Sequence, residues 1–418
     1  MKFSEFVVLG RQGMMMDPLG LQSPYTALQD KLFKQFTVLS NYPTYHGVLA
    51  LIYSLLAERG ITPKHKDFSL QFRRAEILWG MLHTMKTASS SVLNIKKYTA
   101  LMLHRDSLSL NDIKKTDRIY SRLGYGTLGH YSSPSVTWGI LGKSGQHLTA
   151  SGRDLAAAFS ERKGKSLSKA LVSWLNGDSW SVARFEEFAM LFEIGAAPDR
   201  AEAGVWRKLI DDYCEQTPQV RCLWDKPLTE QEERMWWSDS TRQAACFEQW
   251  RSRYAPLKIE LTQIELFQQL AALVQHIFER EYLACAEKGN RSLPFAELEA
   301  DLAADLCETA RAYTQTPHFI DSKGLFLSLA GKYDYQEVAQ KIIDHHVSHQ
   351  KSKGSVPFIE DGEIRVRDRF AVGSYGERCK ALESAASPKA RVALIAFQHP
   401  RDWHFKRAAD YHRYAQFA

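Results

Sequence analysis

Asp344, His345, His346 and His349 make up the one histidine cluster of the chain. His345 and His349 stand four residues apart, which on a helix places both imidazoles on one face, the spacing a transition-metal pair uses. A full site needs a third and a fourth ligand, but Asp344 falls on an adjacent face and no His-Glu-x-x-His motif is present. The pair His345 and His349 is thus set against hydrogen-bonding histidines at a helix end, and the expectation is no metal and no cofactor. Glu360, Asp361, Glu363 and Asp368 offer carboxylates to a nuclease metal. However, Asp361-Gly362 is also the strongest hairpin dipeptide, and Arg365, Arg367 and Arg369 alternate as the exposed face of a strand. Gly142-Lys143-Ser144 ends like a phosphate loop, but that pattern needs glycine where Thr137 stands. No dinucleotide fingerprint, nucleophile elbow or kinase set is present. The chemistry within reach is the holding of a polyanion by cations. Lys114, Lys115, Arg118 and Arg122 share one side of a helix that Asn111 would cap and Gly124 would close, with Ile113, Ile119, Tyr120 and Leu123 turned inward. Lys143 and Arg153 follow them.

The elements that must position these cations centre on residues 137–159. The spacing predicts a strand from Trp138 to Leu141, a Gly-Lys-Ser-Gly turn, a strand from Gln146 to Leu148, and a helix. Gly142 and Gly145 are expected to supply positive φ. Thr149 is expected to cap the helix, Gly152 to let it cross a neighbour closely, and Leu155 and Phe159 to form its buried stripe, with Trp138 turned inward onto them. Ser133-Pro134 reads as the start of another short helix. Two helices, a turn and a hairpin followed by Leu148-Thr149-x-x-Gly152-x-x-Leu155-Ala156 resemble the winged-helix domain, a fold used mostly on DNA and often reused for protein contacts.

Of the chain's 418 residues, 44 % are hydrophobic and 24 % charged, an ordinary globular composition. No apolar run long enough for a membrane span occurs, and the N-terminus lacks the apolar stretch of a signal peptide. The six cysteines, Cys214, Cys222, Cys246, Cys285, Cys307 and Cys379, include no CxxC pair, which favours reduced thiols in a cytoplasm. The net charge of +6 conceals an asymmetry: residues 1–176 hold 23 Lys and Arg against 11 Asp and Glu, residues 177–340 hold 17 against 28, and residues 341–418 hold 14 against 9. A basic first third is the footprint of a polyanion partner.

Residues 48–56 are apolar nearly all round, a buried helix ended by Gly60. Phe72, Ile77, Leu78, Met81 and Leu82 form the stripe of the next helix. Helices are expected over 182–194, 202–216, 228–254, 261–288, 295–313 and 337–350, then a hairpin around Asp361-Gly362 and final elements over 390–397 and 403–417. No fixed-period repeat appears. Trp174, Trp180, Trp206, Trp224, Trp236, Trp237 and Trp250 gather in the acidic part, where they are expected to fill a core or an interface rather than stack on bases.

Asp17-Pro18-Leu19-Gly20-Leu21, with Leu32-Phe33, Thr37-Val38-Leu39, Asn41 and Tyr45, resembles a group of uncharacterised bacterial proteins of defence islands. Lys34-Gln35 replaces its Pro-Gly, and Pro43 and Thr44 replace its arginine-rich part. A second segment, His346, Gln350, Lys353-Gly354 and Pro357, is similar to the same group, with Phe358 in place of a tryptophan. Met14-Met15-Met16 reads as an alternative start, and on that reading residues 1–13 are expected to be an extension or a mis-set start.

The reading is a mainly α chain, with a winged helix-turn-helix-like domain, an α-helical bundle or array and a small C-terminal β-hairpin. Its parts are 1–65 (helical), 66–164 (basic, winged-helix-like), 165–350 (acidic, α-helical) and 351–418 (hairpin and helices). The expected role is a cytoplasmic nucleic-acid-binding or adaptor subunit of an antiviral defence system, without catalysis of its own. Its nucleic-acid residues would be Lys114, Lys115, Arg118, Arg122, Lys143 and Arg153, and its partners duplex DNA and a separately encoded helicase or ATPase, with no membrane. The alternatives are a metal-dependent nuclease built on the C-terminal His/carboxylate region, and a structural winged-helix protein of a chromosome-organising type of complex.

Overall fold

The computed structural model describes residues 17–36, 42–86, 105–113, 127–161, 166–189, 197–286, 296–366, 372–383, 385–399, 401 and 403–417. In chain order its helices begin with α1 (Gln22–Phe33), α2 (Pro43–Glu58), α3 (Phe68–Lys86), α4 (Thr127–Thr137), α5 (Ala150–Ser160) and α6 (Leu167–Leu175). Next come α7 (Val182–Ala189), α8 (Arg200–Gln216), α9 (Arg221–Asp225), α10 (Glu230–Trp236), α11 (Ser240–Arg253) and α12 (Lys258–Ala286). The last are α13 (Ala296–Thr314), α14 (Leu325–Leu329), α15 (Tyr335–Ser352), α16 (Val372–Glu383), α17 (Pro388–Gln398) and α18 (Phe405–Gln416). Two antiparallel two-stranded sheets accompany them, β1 (Ser107–Leu108) with β2 (Trp180–Ser181) and β3 (Ile359–Glu360) with β4 (Glu363–Ile364). The chain is mainly helical, as its periodicity predicts.

Contacts divide the chain into two compact units, each assembled from separated stretches: Phe33–Leu228 with His404–Ala418, and Met1–Leu32 with Thr229–Trp403. The first unit is built on α2. Its apolar residues Val48, Leu49, Leu51, Ile52, Leu55 and Leu56 are all buried, as expected of a helix apolar all round. Pro43 opens it at a position where its missing N–H costs nothing. Gly60, at φ 73°, ends it with its N–H on Ala57 O. Helices α3, α4 and α5 pack on α2, and α8 lies between α5 and α18. The predicted α3 stripe of Phe72, Ile77, Leu78, Met81 and Leu82 is buried.

The second unit is organised by α12, which has α11, α13, α15 and α17 against it. Its side chains Leu261, Ile264, Phe267, Leu270, Val274, Ile277 and Phe278 are buried. Gln268 is the polar pin of this helix: it donates to Ala396 O at 3.1 Å and accepts from Trp403 Nε1 at 2.8 Å. The β3–β4 hairpin turns on Asp361 (φ 52°) and Gly362 (φ 68°), two successive left-handed residues, which is what the Asp-Gly pair predicts.

Two local expectations are corrected, and a third falls partly outside the described residues. The helix expected over 228–254 is two helices: Ser238 donates back to Met235 O, and the Asp239 carboxylate caps α11 by accepting from Arg242 N at 2.8 Å. A strong cap in mid-pattern outweighs continuous periodicity. Asn111 lies inside a short 3-10 turn whose capping box is Ser109 and Asp112, with its amide over Gly177, and the helix it was expected to cap falls outside the described residues. Pro134 does not open a helix but sits inside α4, which begins upstream at Thr127, whose N–H is taken by the Glu76 carboxylate.

Candidate functional site

Of the six cations expected to meet nucleic acid, Lys114, Lys115, Arg118 and Arg122 lie outside the described residues. Lys143 and Arg153 lie within them, and both are exposed. The element carrying Lys143 is tighter than two strands. Trp138 N bonds Pro134 O, and Ile140 N and Leu141 N both bond Ser135 O, so residues 138–140 finish α4 instead of extending as a strand. Gly139 (φ 71°) makes that turn possible. What remains of the strand pair is one antiparallel bridge, Leu141 with Leu148, closed by Gly142 N to His147 O at 2.9 Å. Positive φ belongs to Gly139 and Gly145 and not to Gly142, over whose Cα the His147 ring lies.

The base of this hairpin is braced on several sides. Thr149 caps α5, its hydroxyl accepting from Gly152 N at 3.0 Å. Gly152 has no room for a side chain, since a Cβ would overlap Ile140 O. Phe159 reaches Gly47 of α2, where a Cβ would lie 2.5 Å from the ring. Tyr53 of α2 supports the tip from behind, its hydroxyl donating to Gly145 O at 3.0 Å. Arg153 folds back through Nη1 to Leu148 O at 3.0 Å, which leaves four of an arginine's five N–H donors for a ligand.

Trp138 is buried, as expected, and it has ring partners on other helices. It packs edge-on against Trp206 and Trp224 at 5.6 Å and parallel to Tyr411 at 5.8 Å. Spacing along one segment could not reveal partners from α8, α9 and α18. Trp174, Trp180, Trp206, Trp224, Trp236 and Trp250 are buried; Trp237 is exposed. His46, beside this aromatic core, is fully buried with Nδ1 on Ser135 Oγ at 2.7 Å, and burial pushes its pKa down to about 3.

The histidine cluster is a clamp on a chain segment. His345 Nε2 donates to Leu19 O at 3.0 Å, and His346 Nδ1 to Pro18 O at 2.8 Å. His346 Nε2 accepts from Phe358 N at 2.7 Å, which fixes its tautomer. Gln350 donates to Pro18 O at 3.1 Å, and Ser322 to Gly20 O at 3.0 Å. Gly20, at φ 67°, presses on the His349 ring, where a Cβ would fall 2.7 Å from Cε1. The Asp17 carboxylate accepts from Leu21 N at 2.8 Å and Gln22 N at 3.0 Å, opening α1. The segments 17–21 and 345–350 are therefore apposed, which linear spacing could not foresee. The rings of His345 and His349 lie parallel, 5.9 Å apart, and do not converge on one point. Among the described residues no group of three or more His, Cys, Asp or Glu could hold a metal ion.

The carboxylates downstream are engaged too. Glu360 pairs with Lys351 at 2.5 Å, Glu363 pairs with Arg365 at 3.0 Å, and Asp361 forms the turn; Arg367, Asp368 and Arg369 lie outside the described residues. Sequence reading missed one further group, in which His276 Nε2 stands 3.3 Å from Tyr375 Oη and 3.8 Å from Cys379 Sγ. Burial pushes the Cys379 thiol up to about 11 and His276 down to about 3, so the pair is neutral, the reverse of a thiolate nucleophile. The six cysteines form no disulfide, and no described helix is long and apolar enough to cross a membrane.

No protein-family model matches this chain, and neither a curated protein nor a solved structure does.

Proposed function

We propose that the chain is a nucleic-acid-binding or adaptor subunit of a bacterial defence system, without catalysis of its own, acting on duplex DNA beside a separately encoded helicase or ATPase. The defence setting rests on the resemblance of the Asp17–Leu21 and His346–Pro357 segments alone. The nucleic-acid part rests on one observation: Lys143 stands exposed at the tip of a hairpin braced by Tyr53, with Arg153 exposed on the helix that follows. A braced cationic projection suits the positioning of phosphate, and the order helix, hairpin, helix favours a winged-helix-like element. Charge agrees with it. Residues 33–228 and 404–418 hold 29 Lys and Arg against 19 Asp and Glu, a net of +10, while the other unit sums to −4.

Changing Lys143 and Arg153 together to Glu is expected to abolish duplex binding in a fluorescence anisotropy titration while the thermal melt stays put. Undiminished binding by a folded double variant would remove the hairpin from the DNA. A second reading has its own observation: α4, the helix that precedes the hairpin, contains neither Lys nor Arg, which is poor equipment for a groove-reading helix. If the same double variant keeps its DNA and loses a co-purifying protein, the hairpin is a protein-docking element and the chain a structural winged-helix subunit.

A further inference from the structure

We infer that the loop 61–67 is the second half of the nucleic-acid surface, so that duplex phosphates are held by Lys64 and Lys66 together with Lys143. This rests on the reading of the hairpin as a nucleic-acid element and adds residues that no feature of the sequence had joined to it. The link is an aromatic pair. Tyr53, whose hydroxyl holds Gly145 O at the hairpin tip, packs edge-on against Phe68 at 5.2 Å, and Phe68 is the residue directly after the loop. Loop and tip therefore flank the same two rings, although some 80 residues separate them in sequence.

The loop is held in shape. Ile61 N bonds Leu56 O at 2.8 Å, His65 N bonds Thr62 O at 2.7 Å, and Phe68 N bonds His65 O at 3.0 Å. The His65 ring accepts from Asp67 N at 3.2 Å and lies 3.8 Å from the Asp67 carboxylate, so the loop's one acid is turned to its own histidine. Lys64 and Lys66 are exposed on either side of that histidine. Lys64, Lys66 and Lys143 form no ion pair with a described residue. Amines that are exposed and without an acid partner are the ones that release counterions from phosphate on binding. A turn already ordered presents them without a further cost in backbone entropy.

The test is anisotropy of a labelled DNA duplex with the full chain over a range of salt concentrations. Lys64→Ala with Lys66→Ala should lower the log–log salt slope by about 1.8, two contacts at about 0.9 each. Lys64→Arg with Lys66→Arg should restore it. A control of equal charge in the same unit, Lys169→Ala with Lys208→Ala, should leave the slope unchanged. If Lys143→Ala lowers the slope and the Lys64 and Lys66 pair does not, the inference falls and the hairpin reading stands. If the control lowers the slope equally, the inference falls because charge acts without a defined surface. A wild-type chain with no salt-dependent duplex binding overturns both.

Discussion

Gly152 and the buried histidines show how much single atoms decide here. The hydrogen of Gly152 lets α5 cross the carbonyl of Ile140, and a methyl group there must push the hairpin or the helix away. Gly152→Ala is expected to lower the stability of the chain by roughly 1–3 kcal/mol through overpacking, read from a urea midpoint at unchanged slope. A loss within experimental error would mean that the crossing yields freely. The histidines act through protons. Burial holds His46, His276 and His399 down to about 3 and His346 down to about 4. A base whose folded pKa lies below its unfolded value of about 6.5 is neutral in the fold and takes up its proton only on unfolding. Its contribution is fully present above that value and is lost as pH falls towards 4 and then 3. Each such histidine should cost up to about 1.4 kcal/mol per pH unit in that window. Melting temperatures measured from pH 7 to pH 4 should fall steadily, and His46→Gln should flatten the fall. A flat profile would contradict the neutral assignment of these rings.

At the scale of elements, caps and clamps divide what periodicity leaves continuous. Asp239 separates α10 from α11, and Asp239→Ala should cost about 0.5–2 kcal/mol. Hydrogen exchange should localise the loss to the first turn of α11; if that turn stays protected, the cap is not what breaks the pattern. Helix α15 serves a different end, since His345, His346 and Gln350 donate to the carbonyls of residues 18–19 and His346 also receives the Phe358 N–H. His346→Ala takes one of two donors from Pro18 O, which keeps Gln350, and removes the ring that accepts from Phe358 N, a loss of about 1–3 kcal/mol in all. The expected result is faster limited proteolysis near Asp17 and in the loop before β3. Zinc is expected to leave the melting temperature of the wild-type chain unchanged, because the donor that His345 commits to Leu19 O and the parallel His345 and His349 rings do not form a shared ligand set. A rise of several degrees with zinc, abolished by His345→Ala plus His349→Ala, would bring the nuclease alternative forward.

For the molecule as a whole the relevant quantity is the distribution of charge. The unit that carries the hairpin sums to +10 and the other to −4, so steering of a polyanion should fall to the first and weaken with salt. Lys114, Lys115, Arg118 and Arg122 belong to that unit's sequence. Replacing all four by Ala should reduce the salt slope by about 0.9 for each lost phosphate contact. A quadruple variant with the wild-type slope would confine DNA contact to the hairpin and its neighbours.

The sequence by itself determined the helical class, the buried stripes of α2 and α3, the Thr149 cap, the close crossing at Gly152 and the Asp361-Gly362 turn. Each is a local property, set by a repeat of three to four residues or by the φ and capping needs of one or two positions. Exposure of Lys143 and Arg153 was legible for the same reason. Only the tertiary structure decided the rest: that Trp138 joins Trp206, Trp224 and Tyr411, that the histidines of α15 read the carbonyls of residues 18–19, and that Tyr53 ties loop 61–67 to the hairpin tip. These contacts join residues tens to hundreds of positions apart. Burial of apolar surface is non-directional, so a pattern along the chain shows which side chains turn inward without showing which ones they meet.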